Sequence, residues 1–276
     1  MTGASLTVAL ISDVFPGEDA EGRLLERLRE AKDAGAALAL LPELPLNPWS
    51  PATKTAHAED AEPPGGPRHA IQSRAAKEIG IGLIGGAIVR DRGDRKRYNT
   101  ALAFDAGGGL LARYRKAHIP EEEGFWETSH YQPGDAAPSL IDAFALRIGL
   151  QICSDANRPQ GSHVLGALGA EAILVPRATE RATYERWKLV FRANALTSAA
   201  YVLSVNRPWP EQGVNLGGQS IAVAPDGEVL LESTDSVSVV TLKRRAVLKA
   251  RRDYPGYLPV RAELYARAWQ QVARSA

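Results

Sequence analysis

Short apolar runs alternate with amphipathic stretches along most of the chain. Residues 5–14 (SLTVALISDV) cluster apolar and β-branched residues and stop before a Pro-Gly pair, which predicts a buried strand. In 21–35, Leu24 and Leu28 lie on one helical face and Gly35 offers a C-terminal cap, which predicts an amphipathic helix. The same signals predict, in chain order, a strand at 36–42, a helix at 67–79 and strands at 81–89, 98–105 and 110–115.

The second half of the chain repeats this order of strands and helices without repeating its sequence. The predicted elements are two strand-like runs within 141–153, a helix at 164–170, a strand at 171–176, a helix at 180–199 and a strand at 199–205. A turn at Pro225-Asp226-Gly227 joins two further strands as a hairpin, and we expect 237–242 to pair beside them. The pattern predicts an α/β fold in a single domain over 1–276, with mixed sheets inside and helices outside.

Composition excludes several classes of protein. Hydrophobic residues make up 45% of the chain and charged residues 24%, which argues against disorder. Lys and Arg number 33 against 32 Asp and Glu, a net charge of +1, so no global field attracts nucleic acid or an anionic membrane. Six basic residues fall within 243–252, and we interpret them as an exposed face rather than a nucleic-acid site.

The cellular compartment is predicted from cysteine use and from the first residues. One cysteine leaves no intramolecular disulfide, and the opening MTGASLTVALISDV lacks the basic start and long apolar run of a signal peptide. Apolar stretches fall short of the roughly 20 residues that span a bilayer. We therefore expect a soluble, cytoplasmic protein with no membrane or nucleic-acid partner.

Three reactive side chains follow apolar strands directly. Cys153 ends RIGLQIC and precedes polar residues, Glu43 follows ALALLP, and Lys116 follows LLARYR. A thiol needs a base and a positive environment to become a nucleophile, and these strand ends supply a carboxylate and an ammonium. The alternatives are a small buried cysteine and two solvated strand ends.

Two other patterns carry less weight. GIGLIG at 80–85 has the three glycines of a dinucleotide site, but a helix precedes it and a strand follows, which is the reverse of the required order. The five histidines lack ligand spacing, so we expect no metal site.

The three strand ends resemble the motifs of the carbon–nitrogen hydrolases of the nitrilase superfamily. LLPELPLNPW is similar to the family's glutamate motif, ARYRKAHIP to its lysine motif and GLQICSD to its cysteine motif, and the reactive residues are separated by 73 residues (43 to 116) and 37 residues (116 to 153). GFWETSHYQPGD at 124–135 resembles the N-carbamoylputrescine amidase branch, and Glu127 within it matches the family's second glutamate. The resemblance covers about residues 5–265.

This resemblance implies an α-β-β-α four-layer sandwich that uses no metal or cofactor. It implies a homodimer or higher homo-oligomer, with the C-terminal 243–276 as a tail at the interface. In the implied chemistry Glu43 is the base, Cys153 attacks the substrate, and Lys116 with the backbone N–H of Ser154 stabilises the developing negative charge. Glu127 positions Lys116 or the substrate.

Departures from the family fall around the expected pocket. The family commonly has an aromatic residue where this chain has Ser154, and Arg158 and Arg177 stand in places usually taken by other residues. Both arginines either face the site and bind a substrate anion, or pair with Asp155 and Glu180. Together with Trp126, these residues are the candidates for substrate contact.

The predicted activity is hydrolysis of a non-peptide carbon–nitrogen bond in a small molecule. Asp155, two residues after the nucleophile, favours an amide or N-carbamoyl substrate because the family's amidases and carbamoylases tend to have aspartate there. The alternatives are a nitrilase, which turns a nitrile into an acid and ammonia, and an inactive binding protein on the same fold.

Overall fold

Two main sheets dominate the computed structural model, which describes residues 3–275. The strands are β1 (Ser5–Ile11), β2 (Leu38–Leu40), β3 (Ala61–Glu62), β4 (Gly82–Arg90), β5 (Arg97–Phe104), β6 (Leu110–Arg115), β7 (Glu121–Glu122), β8 (Phe125–Trp126), β9 (Leu140–Ile141), β10 (Ile148–Leu150), β11 (Ala172–Arg177), β12 (Tyr201–Asn206), β13 (Ser220–Val223), β14 (Val229–Ser233) and β15 (Val237–Lys243). The α-helices are α1 (Ala20–Asp33), α2 (Pro67–Ile79), α3 (Pro159–Leu168), α4 (Tyr184–Ser198), α5 (Arg244–Arg252) and α6 (Ala262–Ser275).

The two sheets are both mixed. The first has the order β15-β1-β2-β4-β5-β6, with β3 beside β4, and its parallel centre of β1, β2 and β4 is flanked by antiparallel β15 and β5. The second has the order β14-β13-β12-β11-β10-β9, with a parallel centre of β10, β11 and β12. In each sheet the parallel strands therefore end at a common edge.

Helices cover the outer face of each sheet, and the sheets face one another. Side chains of α1 and α2, such as Leu28 and Ala75, form one cluster with the outer face of the first sheet. Phe191 of α4 and Leu165 of α3 pack on the second sheet in the same way. A third cluster joins the inner faces of both sheets, so the order of layers is α-β-β-α and the predicted sandwich is confirmed.

Helix ends differ from the sequence prediction where one residue type decides them. The helix α2 covers 67–79 as expected, starting with Pro67 at its first position and ending at Gly80, which adopts a left-handed backbone. The helix expected at 164–170 instead begins at Pro159, since proline suits the first turn, where no N–H is required.

One strand pairs differently from the prediction. Residues 220–233 form the expected hairpin of β13 and β14, but β15 does not extend it. Instead β15 crosses to the first sheet and pairs antiparallel with β1, from Ser5 opposite Lys243 to Ile11 opposite Val237. The alternating pattern of 237–242 identifies a strand but not its partner, which lies more than 200 residues away.

The C-terminal helices are attached unequally. In α5, Val247 is buried and Arg244 forms an ion pair with Glu171, so part of the basic 243–252 segment fixes the helix to the second sheet. Along α6 no residue is buried. Across residues 3–275, no helix has the length and apolar character to cross a membrane.

Candidate active site

The predicted reactive residues follow strands of both sheets, and the charges of Glu43 and Lys116 act on Cys153. Glu43 comes three residues after β2, and Cys153 begins the short 3-10 helix that follows β10. Lys116 directly follows β6, which runs parallel to β4 because both strands are antiparallel to β5. The carboxyl ends of parallel strands are where α/β sheets collect functional groups.

Lys116 lies between two carboxylates. Its Nζ atom is 2.8 Å from Oε1 of Glu43 and 2.8 and 2.6 Å from the two oxygens of Glu127. All three side chains are buried. Burial alone would lower the pKa of Lys116, but the charges of Glu127 and Glu43 outweigh it and raise the pKa above the ordinary lysine value. The ammonium is therefore charged throughout the physiological pH range.

Glu127 is held in place by a second donor. The Tyr131 hydroxyl donates to Oε2 of Glu127 at 2.5 Å, and the Asn99 amide lies 3.3 Å from the same hydroxyl oxygen. Burial raises the pKa of Glu127 to about 7, although Lys116 works in the opposite direction. This carboxyl therefore changes its charge close to neutral pH.

Cys153 is a buried thiol on a strained backbone. Its side chain is 4% exposed, and its φ of 47° lies in the left-handed region, which is uncommon for residues other than glycine. The thiol donates to the carbonyl oxygen of Ala178 at 3.5 Å. Burial and the negative charge of Glu43 raise the pKa of Cys153 well above its usual value, while Lys116 opposes them. The resting sulfur is therefore a neutral thiol that needs a base.

Hydrogen bonds connect the three segments that carry Glu43, Lys116 and Cys153. The amide N–H of Glu43 donates to the carbonyl of Arg177 at 3.4 Å, next to the Ala178 carbonyl that accepts from Cys153. Asp155 connects the nucleophile to the segment after Lys116. Its buried carboxylate accepts five hydrogen bonds, at 2.8–3.1 Å, from Ile152 N, Ala117 N, His118 N, His118 Nδ1 and Tyr114 Oη.

Three candidates for substrate contact lie near this cluster in sequence and are more exposed. Ser154 donates through its hydroxyl to the carbonyl of His118. Trp126 is half-buried beside Glu127, and Lys54 Nζ lies 4.0 Å from the centre of its ring. Arg158 is exposed and lines an open cavity of about 500 Å³ with His118, Gln160, Gly161 and Trp269.

Arg177 is buried, contrary to the expectation of an open contact with a substrate anion, although the charge of Cys153 acts on its guanidinium. The side chain is 0% exposed and lies on the helix-facing side of β11, two residues from Val175, which packs against α4. Its guanidinium donates to the Ser204 and Thr179 hydroxyls and to the Gln219 carbonyl. Among residues 3–275 it forms no ion pair with Asp155 or Glu180, so the alternative pairing is also absent. Burial lowers the pKa of Arg177 to about 10.

Sequence reasoning missed Asn99 and Arg207. Asn99 Nδ2 lies 2.7 Å from Oε1 of Glu43. Buried Arg207 donates at 2.9 Å to the carbonyls of Glu43 and Leu44 and pairs with Glu211, which fixes the glutamate loop. Both are polar residues at the ends of apolar strands, RYNTALAF and YVLSVNR, and that is the signal that identifies them.

A metal centre has no obvious residues to bind it in the part of the chain that the structure describes. No three side chains of the His, Cys, Asp and Glu types come together there in a group that would hold an ion.

Comparison with known proteins agrees with this architecture. A family model described as carbon-nitrogen hydrolase matches residues 19–252. An omega-amidase of Homo sapiens is 30% identical over 248 residues, covering 87% of this chain and 88% of the relative. A chloroplastic omega-amidase of Arabidopsis thaliana is 31% identical over 250 residues, covering 86% of this chain and 67% of the relative.

Solved structures share the fold at lower identity. Nit3 of Saccharomyces cerevisiae, described as a member of branch 10 of the nitrilase superfamily, aligns with a TM-score of 0.80 and 24% identity over 94% of this chain and 97% of its own. The extent of the family match and the identity to two omega-amidases lead to one conclusion. The chain belongs to the carbon–nitrogen hydrolase family of enzymes.

Proposed function

We propose that the protein is an amidase that hydrolyses the terminal carboxamide of a small molecule through a thioester on Cys153. The observation that carries this proposal is a lysine held between two buried carboxylates, with the charges of Lys116 and Glu43 acting on a buried thiol of the second sheet. The names of the relatives support an amide as substrate, since both are omega-amidases.

In the first half of the proposed reaction, Cys153 becomes an acyl carrier. Glu43 accepts the thiol proton as the sulfur attacks the amide carbon, and the carbonyl oxygen becomes a tetrahedral oxyanion. The charged Lys116 and the backbone N–H of Ser154 stabilise that oxyanion. The proton then passes from Glu43 to the amide nitrogen, the carbon–nitrogen bond breaks, and ammonia leaves a thioester behind.

In the second half, water replaces ammonia. Glu43, ionised again, takes a proton from a water molecule that attacks the thioester carbon. Lys116 and Ser154 N–H stabilise the second oxyanion, the carbon–sulfur bond breaks, and the thiolate recovers the proton from Glu43. The product is a carboxylic acid, and Glu127 keeps Lys116 aligned through both halves because a buried ammonium needs a fixed anionic partner.

Substrate recognition in this proposal involves Trp126, Ser154 and Arg158. The indole and the hydroxyl flank Glu127 and Cys153 in the sequence, so they are suited to contact the acyl group. Arg158 is exposed on an open cavity and has no ion-pair partner within residues 3–275, which suits it to an acidic group at the far end of the substrate.

Ammonia release from a substrate panel tests the proposal. The panel holds primary amides with and without a distal carboxylate, N-carbamoyl amino acids, N-carbamoyl amines and nitriles. We expect hydrolysis of primary amides and a fall of about 10⁴-fold or more in kcat for Cys153→Ala, because the covalent route is lost. Intact-mass analysis after rapid quenching should detect the acyl-enzyme in the native protein only.

Each other outcome contradicts a stated part of the proposal. Turnover of nitriles but not amides would identify a nitrilase, and turnover of N-carbamoyl compounds alone would identify a carbamoylase. Binding without turnover by the native chain would identify a binding protein. Amide hydrolysis that persists in Cys153→Ala would remove the thioester mechanism.

A further inference from the structure

The two oxygens of the Glu43 carboxylate have different surroundings. Oε1 accepts from Lys116 Nζ at 2.8 Å and from Asn99 Nδ2 at 2.7 Å. Oε2 is buried and has no hydrogen-bond partner in the part of the chain that the structure describes. Since a buried polar atom without a partner is costly, this asymmetry calls for an explanation.

Asn99 is fixed by its position in the sheet. It is the third residue of β5, opposite Ile88 near the end of β4, so it lies at the strand edge where Glu43 is found. Its backbone carbonyl accepts from the N–H of Lys116 at 2.9 Å, which makes the two residues neighbours across the strands. The side chain is buried.

The side chains form a closed circuit of hydrogen bonds. Lys116 donates to Glu43 and Glu127, Asn99 donates to Glu43 and to the Tyr131 oxygen, and Tyr131 donates to Glu127. In this circuit the Asn99 side chain serves as a donor only. A rotated amide would direct its oxygen at the Glu43 carboxylate, so the circuit also fixes the orientation of Asn99.

We propose that Asn99 is a positioning residue that selects Oε2 of Glu43 as the atom that carries the proton. Two donors occupy Oε1 and hold the carboxylate plane, which leaves the unpartnered oxygen to receive the thiol proton and to pass it to the departing nitrogen. The inference rests on the proposed role of Glu43 as the base. Tyr131 contributes to the same arrangement, because its hydroxyl accepts a hydrogen bond from Asn99 and donates one to Glu127.

The variant Asn99→Leu tests this role because leucine has a similar volume and no donor. A carboxylate that loses a donor becomes easier to protonate. Asn99 also donates to the Tyr131 hydroxyl, which donates to Glu127, so its loss weakens the donor to Glu127. We therefore expect the acid limb of the kcat/KM profile, which reports proton uptake by Glu127, to move to higher pH. At neutral pH we expect kcat to fall about tenfold to hundredfold, as for loss of a hydrogen bond to a charged group, with KM nearly unchanged.

A matched control separates positioning from support of the fold. Thr100 is the next residue on β5 and is equally buried, and within residues 3–275 its hydroxyl hydrogen-bonds only to the carbonyl of Tyr98. Thr100→Val keeps the side-chain shape, and we expect its acid limb to stay at the native position. Tyr131→Phe is the second test variant, and we expect its limb to move in the same direction as that of Asn99→Leu and by a larger amount, because Tyr131 donates to Glu127 directly.

The outcomes distinguish this inference from the proposed function. Both Asn99→Leu and Tyr131→Phe could keep the native acid limb, whatever their rates, while Glu43→Gln is inactive. In that case the positioning role of Asn99 is wrong, and the proposed role of Glu43 as the base is retained. If Asn99→Leu does not fold, Tyr131→Phe decides by the same criterion. If Glu43→Gln keeps native activity, the proposed base is wrong, and the inference falls with it.

Discussion

At the scale of single residues, Glu127 links the activity to pH. Burial raises its pKa to about 7, so Glu127 takes up a proton as the pH falls through neutrality and stops compensating the charge of Lys116. Glu43 is then the only carboxylate that balances the charge of Lys116, and this stronger pairing makes Glu43 a weaker base. We expect native kcat/KM to fall below about pH 7, and Glu127→Gln to be about tenfold to hundredfold less active at pH 8, since it removes a charged hydrogen-bond acceptor.

The decisive measurement is the shape of the pH profile of Glu127→Gln. Glutamine does not titrate, so the fall near neutral pH should be absent from this variant. Glu121→Gln, an exposed change on β7, should keep the native profile. A limb near pH 7 that is unchanged in Glu127→Gln would show that another group controls it.

Single residues also mark how far the sequence alone can predict the site. The strand-end positions of Glu43 and Cys153 follow from apolar runs that stop at a polar residue, because such runs reveal where strands end. The side of β11 on which Arg177 lies also follows from the period of two, since Val175 and Arg177 share a face. The pairing of Asn99 with Glu43 has no comparable signal, because it depends on how β5 and β2 come together in space.

At the scale of elements, Asp155 joins the loop after β10 to the segment after β6. Its oxygens accept from the backbone of Ile152 on one side and from Ala117 and His118 on the other. Asp155 is therefore a connection between the segment that follows β10, which carries Cys153, and the segment that follows β6, which carries Lys116.

Replacing Asp155 with asparagine should separate the two loops. The new amide group directs a donor at existing donors, so we expect a loss of at least about 2 kcal/mol in the free energy of unfolding and a lower kcat. Urea denaturation measures the first effect and steady-state kinetics the second. Asp142→Asn, in an exposed ion pair with Arg147, should change stability by less than about 0.5 kcal/mol. Equal stability of the two variants would contradict the proposed connection.

Elements also show why one part of the topology escaped prediction. The hairpin of β13 and β14 is signalled locally by its turn at Pro225-Asp226-Gly227. The partner of β15 is not, since the same alternating residues would fit beside either sheet. Its pairing with β1 depends on the tertiary arrangement of the two sheets, in which β15 becomes the edge strand of the first sheet.

At the scale of the whole molecule, the exposed large apolar residues are concentrated along the last segment of the chain. Residues 254–272 expose a run of large apolar side chains, namely Tyr254, Tyr257, Leu258, Val260, Leu264, Tyr265, Trp269 and Val272. Contiguous apolar surface of this kind marks an interface in water-soluble proteins. The tail predicted for a subunit interface from 243 onward thus coincides with the least covered part of the described chain.

We expect a second copy of this chain to cover that segment and the protein to sediment at twice the mass of one chain. Trp269→Glu places a charge in the centre of the apolar face of α6, since Tyr265, Trp269 and Val272 recur at helical spacing. This variant should therefore shift the sedimentation equilibrium towards the monomer, whereas Gln270→Glu, on the side of α6 that carries Arg267 and Arg274, should remain a dimer. A monomeric native protein, or a Trp269→Glu variant that stays dimeric, would mean that α6 does not form the interface between copies.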